Sequence, residues 1–341
     1  MKYNKEVKSL CDRIIYGGDP VGSTMNIDNF NWVEGVGMYG ILRAWQIYGF
    51  EDCKDMLLKW IDKHKGEADK AVTVNAMAPV MTMLEITDDQ RRSEVMGICQ
   101  NTADFIMNKA PRTQCGAFEH TVNEDVKFGE QVWADTLFMV CMFLAKYGKA
   151  TWNEIYTKEA QNQLYLHHKY LKDKETGLFF HGYSCIEKGN LSCCRWGRAN
   201  AWITASTVEM LEIFPDEFEH RGEIIASLQE QVAALEKYQR ENGMFGTVID
   251  EECYDEASAT AGFGYGILRG IKSGFISEKY MHVADKAKNA ILQSINDKGE
   301  VMHVSSGTPI HPTIEQYKQV EILPTLYGQA LSILLLSEYD R

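Results

Sequence analysis

The chain lacks most of the features that would place it in a narrow class. No run approaches the roughly 18 apolar residues of a membrane span, and the opening Met1-Lys2-Tyr3-Asn4-Lys5-Glu6 carries no hydrophobic signal region. A membrane partner is therefore not expected. No basic stripe offsets the acid excess, 48 Asp and Glu against 35 Lys and Arg for a formal charge of -13, which argues against a nucleic-acid partner. Nine cysteines are scattered without paired spacing beyond the adjacent Cys193-Cys194. That usage fits free thiols in a reducing compartment, the cytoplasm. P-loop and Gly-x-Ser-x-Gly motifs are absent, and His167, His168, His303 and His311 form no metal-ligand spacing. We expect no metal and no cofactor; nothing in these features sets the oligomeric state.

What is present is helical periodicity, broken by Gly, Asn, Asp and Pro clusters. The pattern predicts helices over 4–15, 32–48, 51–66, 73–86, 89–109, 129–147, 150–170, 198–213, 218–238, 256–272, 277–293 and 322–339. They alternate in character. Segment 51–66 is heavily charged, whereas 73–86 holds only Glu85 and 322–339 only Glu338. A helix with a charged face lies outside, and one that is apolar nearly all round is buried. Six inner helices alternating with six outer ones predict an all-α, (α/α)6 barrel over residues 1–341 as a single domain. An open helical solenoid also alternates helix pairs. The inner helices, however, begin at irregular intervals of roughly 40 to 70 residues, and no fixed repeat recurs. Short extended inserts are expected at 178–183, 239–253 and 299–305.

The unusual residues gather at the starts of the inner helices. In chain order they are Trp32, Glu34 and Tyr39; Asn75; Trp133 and Asp135; Trp196, Arg198, Asn200 and Trp202; then Ser258 and Thr260. In a barrel with parallel inner helices they would converge on one mouth, where six helix N-termini favour an anionic ligand. Asp135, between Trp133 and Leu137-Phe138-Met139, is a carboxylate in an apolar run, costly to bury unless paired, protonated or used. Desolvation is expected to raise its pKa. Arg198 opens an apolar helix with no carboxylate nearby in the chain, so a substrate carboxylate is its expected partner. His181, in the strand-like insert, could reach the mouth, and His120 lies in the long loop that leads to Asp135, although a lone histidine is more often structural. The run Gly262-Phe263-Gly264-Tyr265-Gly266 reads equally as close helix packing or ligand approach.

Three motifs, Gln131-Val132-Trp133-Ala134-Asp135-Thr136-Leu137-Phe138-Met139, Gly177-Leu178-Phe179-Phe180-His181-Gly182 and Trp196-Gly197-Arg198-Ala199-Asn200-Ala201-Trp202, together resemble the unsaturated rhamnogalacturonyl hydrolases, glycoside hydrolase family 105. The resemblance implies a barrel enzyme that removes a Δ4,5-unsaturated uronic acid from a small anionic oligosaccharide. It also implies Asp135 as catalytic acid–base, with Tyr39, His181, Arg198, Trp196 and Trp202 lining the sugar site. The chain departs from the family at Ala199 and Ala201, usually Gly, at Asn75, often an acid, and at Thr121, often basic. Ordinary glycosidases need two flanking carboxylates, whereas a C4=C5 enol ether can be hydrated with one. An (α/α)6 sugar epimerase would need paired histidines, and a non-catalytic scaffold would leave the convergence of Asp135, Arg198 and the tryptophans unexplained.

Overall fold

The computed structural model describes residues 1–86, 89–122 and 128–341. Its elements are α1 (Asn4–Tyr16), α2 (Trp32–Tyr48), α3 (Glu51–Ala68), α4 (Val74–Met77), α5 (Val80–Glu85), α6 (Arg92–Asn108), β1 (Gln131–Trp133), a wide turn (Leu137–Cys141) leading into α7 (Met142–Thr151), and α8 (Glu154–Leu171). There follow β2 (Gly182–Ser184), β3 (Gly189–Asn190), α9 (Gly197–Ile213), α10 (Arg221–Tyr238), α11 (Ala257–Lys272), α12 (Met281–Ser294), α13 (Ile314–Lys318) and α14 (Leu326–Asp340).

Helices with no polar face must be surrounded, and six helical segments solve this by packing on one another. Helix α2 packs on α14, α14 on α11, α11 on α9, α9 on α7, α7 on α5, and α5 returns to α2. The closed ring rules out the solenoid, which would leave α2 and α14 at opposite ends. Outside it, α1, α3, α6, α8, α10 and α12 each cover an inner helix and bury one stripe. The inner helices run parallel. Gly37 faces Leu326 and Gly40 faces Ala330, while Gly262 faces Ala201 and Gly266 faces Thr204. A Cβ at Gly40 would stand 2.7 Å from Ala330 Cα, and one at Gly262 2.8 Å from Ala201 Cβ. The glycine-rich inner segments therefore serve close packing rather than ligand approach.

Polar side chains cap α4, α11 and α14. Thr73, Glu256 and Thr325 accept from the backbone N–H of Ala76, Ala259 and Gly328, each cap contributing about 1 kcal/mol. Two predicted helices are corrected. Segment 73–86 divides at Pro79, which supplies no N–H. Segment 129–147 opens not as helix but as β1, paired antiparallel with β2, and its helix begins with a wide turn in which Met142 N–H reaches back five residues to Leu137 O. The expected inserts are present as β2 and as isolated bridges such as Gly246 to Asp255 and Ile295 to Val301.

The expectation of free cysteines also fails in part. Cys115 and Cys185 form a disulfide with their Cα atoms 6.0 Å apart, while the other seven are free. A separation of 70 residues conceals the pair in the sequence. It forms because the β1–β2 pairing carries Cys185 N–H to Glu130 O at 2.9 Å, and Gln114 Nε2 donates to Cys185 O. Among the described residues no helix is long and apolar enough to cross a membrane.

Candidate active site

The β1–β2 ladder builds the centre of the site. Trp133 lies opposite Gly182, and Ala134 N–H donates to His181 O at 3.0 Å, so the residue leaving β1 meets the residue entering β2. Asp135 Oδ2 consequently lies 3.2 Å from His181 Nε2. His181 is fully buried, whereas the Asp135 side chain keeps 19% of its surface exposed. Aromatic rings enclose the pair. Trp196 lies over His181 with centroids 4.2 Å apart, and Trp133 meets the same ring edge-on at 5.3 Å. His120 stacks on Trp133 at 4.6 Å and 7°, while its Nδ1 contacts Thr136 Oγ1 at 3.0 Å.

These surroundings correct the expected acidity of Asp135. Burial does push the carboxyl up, but the contact with His181 and the electrostatic influence of His181, His120 and Arg198 outweigh it, so the net direction is down. On His120 burial outweighs the attraction of Asp135 and holds the imidazole near 4, so it is neutral at ordinary pH.

Arg198 reaches the site but is not free for a ligand. Its guanidinium lies over Trp196, 4.5 Å from the centroid, and over Tyr327 at 4.7 Å. Nη1 donates to Ser305 O and Oγ, and Nη2 to Ser306 O. Glu256 Oε1, from the start of another inner helix, stands 3.7 Å away. The carboxylate that the local sequence withholds is thus supplied across the ring. Arg198 fastens the 305–308 segment to this end of the barrel.

Several expected site residues are structural instead. Asn200 clamps the strand-like insert, accepting from Phe179 N–H and donating to Phe179 O and Trp196 O. Ser258 Oγ donates to Glu256, and Thr260 Oγ1 donates to Glu256 O and accepts from Phe245 N–H. Trp202 is fully buried against Phe138. Asn75 does lie beside the His120 segment, its N–H donating to Thr121 O at 3.3 Å. Buried Glu34 takes a hydrogen bond from Asn29 rather than from any member of the Asp135 cluster, and burial raises its pKa.

Tyr39 is the largest displacement. Its hydroxyl donates to Glu209 at 2.6 Å, in a charge cluster built from the C-terminal halves of the inner helices. There Arg43 and Lys146 pair with Glu85 at 2.8 and 2.9 Å, Lys146 pairs with Glu209 at 3.0 Å, and Arg269 lies 3.9 Å from Glu209. Parallel inner helices put this cluster at the end of the ring opposite Asp135.

Sequence reasoning missed Tyr317, whose buried hydroxyl lies 3.0 Å from His181 Nδ1. It also passed over Glu256, fully buried, whose carboxylate accepts from Ala259 and Ser305 N–H. An acid directly before Ala-Ser-Ala-Thr at an inner-helix start was the available signal for Glu256. Among the described residues no group of three or more His, Cys, Asp or Glu could hold a metal.

The family model described as Glycosyl Hydrolase Family 88 matches residues 8–341. The unsaturated rhamnogalacturonyl hydrolase YesR of Bacillus subtilis is 31% identical over 98% of this chain and 95% of its own length. A crystal structure described as a possible member of GH105 from Salmonella enterica superposes with a TM-score of 0.92 at 32% identity, covering 99% of this chain and 94% of that one. An unsaturated glucuronyl hydrolase specific for heparin, 12% identical with a TM-score of 0.78 over 98% of this chain and 96% of that one, shares the fold.

Proposed function

The chain belongs to Glycosyl Hydrolase Family 88, and from that premise we propose that it removes a Δ4,5-unsaturated uronic acid, of the galacturonyl type left in pectin, from the non-reducing end of lyase-generated oligosaccharides. The observation that carries this reading is a partly exposed carboxylate, Asp135, held 3.2 Å from a buried histidine among aromatic rings. Glu256 does not act as a second carboxylate, because it is fully buried and its oxygens are taken by Ala259, Ser258 and Ser305. Among the described residues, two-carboxylate hydrolysis of a saturated glycoside therefore has no pair to use.

Hydration of the enol ether needs one group that gives a proton and takes one. Asp135 delivers a proton to C4 and, as carboxylate, accepts one from the water that attacks C5. Water is thereby added across the double bond. The C5 hemiketal opens by breaking its bond to the ring oxygen, and the hemiacetal left at C1 expels the remaining saccharide as an alcohol. Free Asp135 is held low by its neighbours. The uronate of the substrate brings a second negative charge beside it, which raises its proton affinity at the moment a proton is needed. Elimination makes C4 trigonal, so unsaturated galacturonyl and glucuronyl units become the same sugar. Discrimination between lyase products then falls to the leaving saccharide.

Asp135→Asn is expected to lose roughly 10²–10⁴-fold in rate, read as loss of the enoate's ultraviolet absorbance on a panel of lyase-generated disaccharides with saturated aryl glycosides as controls. Near-wild-type turnover by the variant, or activity confined to the saturated set, would sink the reading.

A further inference from the structure

We propose that Tyr317 is a positioning residue that fixes the tautomer of His181, so that the Nε2–H of a neutral imidazole faces Asp135. The proposal deepens the functional reading above and rests on it for its catalytic consequence, although the tautomer itself does not depend on the substrate. Three observations carry it. Tyr317 Oη lies 3.0 Å from His181 Nδ1, and both side chains are fully buried. The same oxygen accepts from His311 N–H at 3.2 Å. Among the described residues His181 Nδ1 is the one acceptor recorded within reach of the phenol hydrogen.

A hydroxyl that accepts from a backbone N–H sends its own hydrogen to its other neighbour. Nδ1 therefore accepts, and the ring's proton resides on Nε2, 3.2 Å from Asp135 Oδ2. The opposite tautomer would put a lone pair against a carboxylate. Burial keeps the phenol protonated, pushing its pKa up, so Tyr317 stays a donor throughout the working range. The fold holds it in place from both sides. Tyr254 Oη donates to Tyr317 O at 3.3 Å, and the Tyr317 ring lies near Trp196, which covers His181. The residue comes from α13, in the connection between the last outer and last inner helices, far in sequence from every motif of the site. The series Tyr317–His181–Asp135, its last link a 3.2 Å contact, leaves the other carboxylate oxygen of Asp135 for the proton that moves, and holds the acid's orientation through the cycle.

The test is a ¹⁵N–¹H correlation spectrum of imidazole-labelled enzyme, with the His181 signals identified by their absence in His181→Gln. We expect wild-type Nδ1 to resonate as an unprotonated ring nitrogen and Nε2 as a protonated one. Tyr317→Phe, which keeps the ring and removes only the hydroxyl, should lose that pattern and lower kcat by about 10–100-fold, the range for groups that orient a functional histidine, with KM changed less than about twofold. Wild-type enzyme with the proton on Nδ1, or a Tyr317→Phe variant with the wild-type spectrum and kcat, would overturn the assignment. The spectrum is read without substrate. A wild-type enzyme with the expected tautomer but no activity on enoates would thus overturn the functional reading while supporting the role of Tyr317.

Discussion

The two ends of the inner-helix ring are both polar and both buried, but they differ in how completely their charges are answered. At the C-terminal end Glu209, 1% exposed, is met by Tyr39, Tyr265 and Lys146 between 2.6 and 3.0 Å, with Arg43 and Arg269 within 3.9 Å. Cations from α2, α7 and α11 face acids from α5 and α9, and nothing there is left to react. At the N-terminal end Asp135 has one close partner, His181, and an exposed edge. Burial alone therefore does not mark function in this molecule. An acid saturated by fixed partners stabilises the barrel, whereas an acid with one partner and one open side can exchange a proton.

The comparison breaks most sharply under charge removal. Glu209→Gln leaves Arg43, Lys146 and Arg269 facing one another without their shared anion, and we expect it to cost about 3–5 kcal/mol of stability, as for one member of a buried ion pair. Asp135→Asn should unfold in urea at or above the wild-type midpoint while losing its rate. If Asp135→Asn proves the less stable of the two, the distinction between a saturated end and a reactive end is wrong.

Acid should separate the ends in a second way. His120, held near 4 in the folded chain against an ordinary value of 6.5, binds fewer protons folded than unfolded. Its contribution is full above about pH 6.5 and is lost as pH falls through about 4. Glu85, Glu209 and Glu212 are held below the usual carboxylate range. Burial raises them, and Lys146, Arg43 and Arg269 more than compensate. Their contribution is full above about pH 4.5 and is lost below it. Urea midpoints measured from pH 8 to 3 should therefore fall in two stages. Buried His167 and His168, held near 4 and near 3, share the upper stage, so His120→Gln should shrink it by at most about 3 kcal/mol and leave the lower. An upper stage of unchanged size in His120→Gln would remove His120 from this account.

How much of this was legible in the sequence follows from the range of the interactions. The barrel was legible because helix character is local: one charged stripe or none decides outside from inside, and the alternation survives even where boundaries shift. Asp135, Trp133, His181 and His120 were legible for the same reason, since each sits in an unusual local setting. The disulfide was not, because the β1–β2 pairing that joins Cys115 to Cys185 is non-local. Arg198 looked unpartnered because Glu256 and Ser305 come from other parts of the ring. Tyr317 was hidden in a connection with no periodic signal. The acidity of Asp135 was read with the wrong sign because apolar neighbours in the chain say nothing of a histidine brought in by another strand.

Tyr39 supplies the finest division, since resemblance places it in the sugar site and geometry places it in the cluster. An inner helix presents seven residues across two turns, so a tyrosine in its first half can face either end of the ring. Here the hydroxyl reaches Glu209 at 2.6 Å and receives a hydrogen bond from Arg43 at 2.5 Å, both on the C-terminal side. Tyr39→Phe removes one hydrogen bond to a buried carboxylate, and we expect it to cost about 1.5–3 kcal/mol. The ring contact with Phe138 at 6.1 Å remains, so the core keeps its shape. The KM for an unsaturated disaccharide should change by less than about twofold, because no atom of the Asp135 cluster loses a partner. A variant with wild-type stability and a raised KM would move Tyr39 back among the sugar contacts and place both ends of the ring in one continuous site.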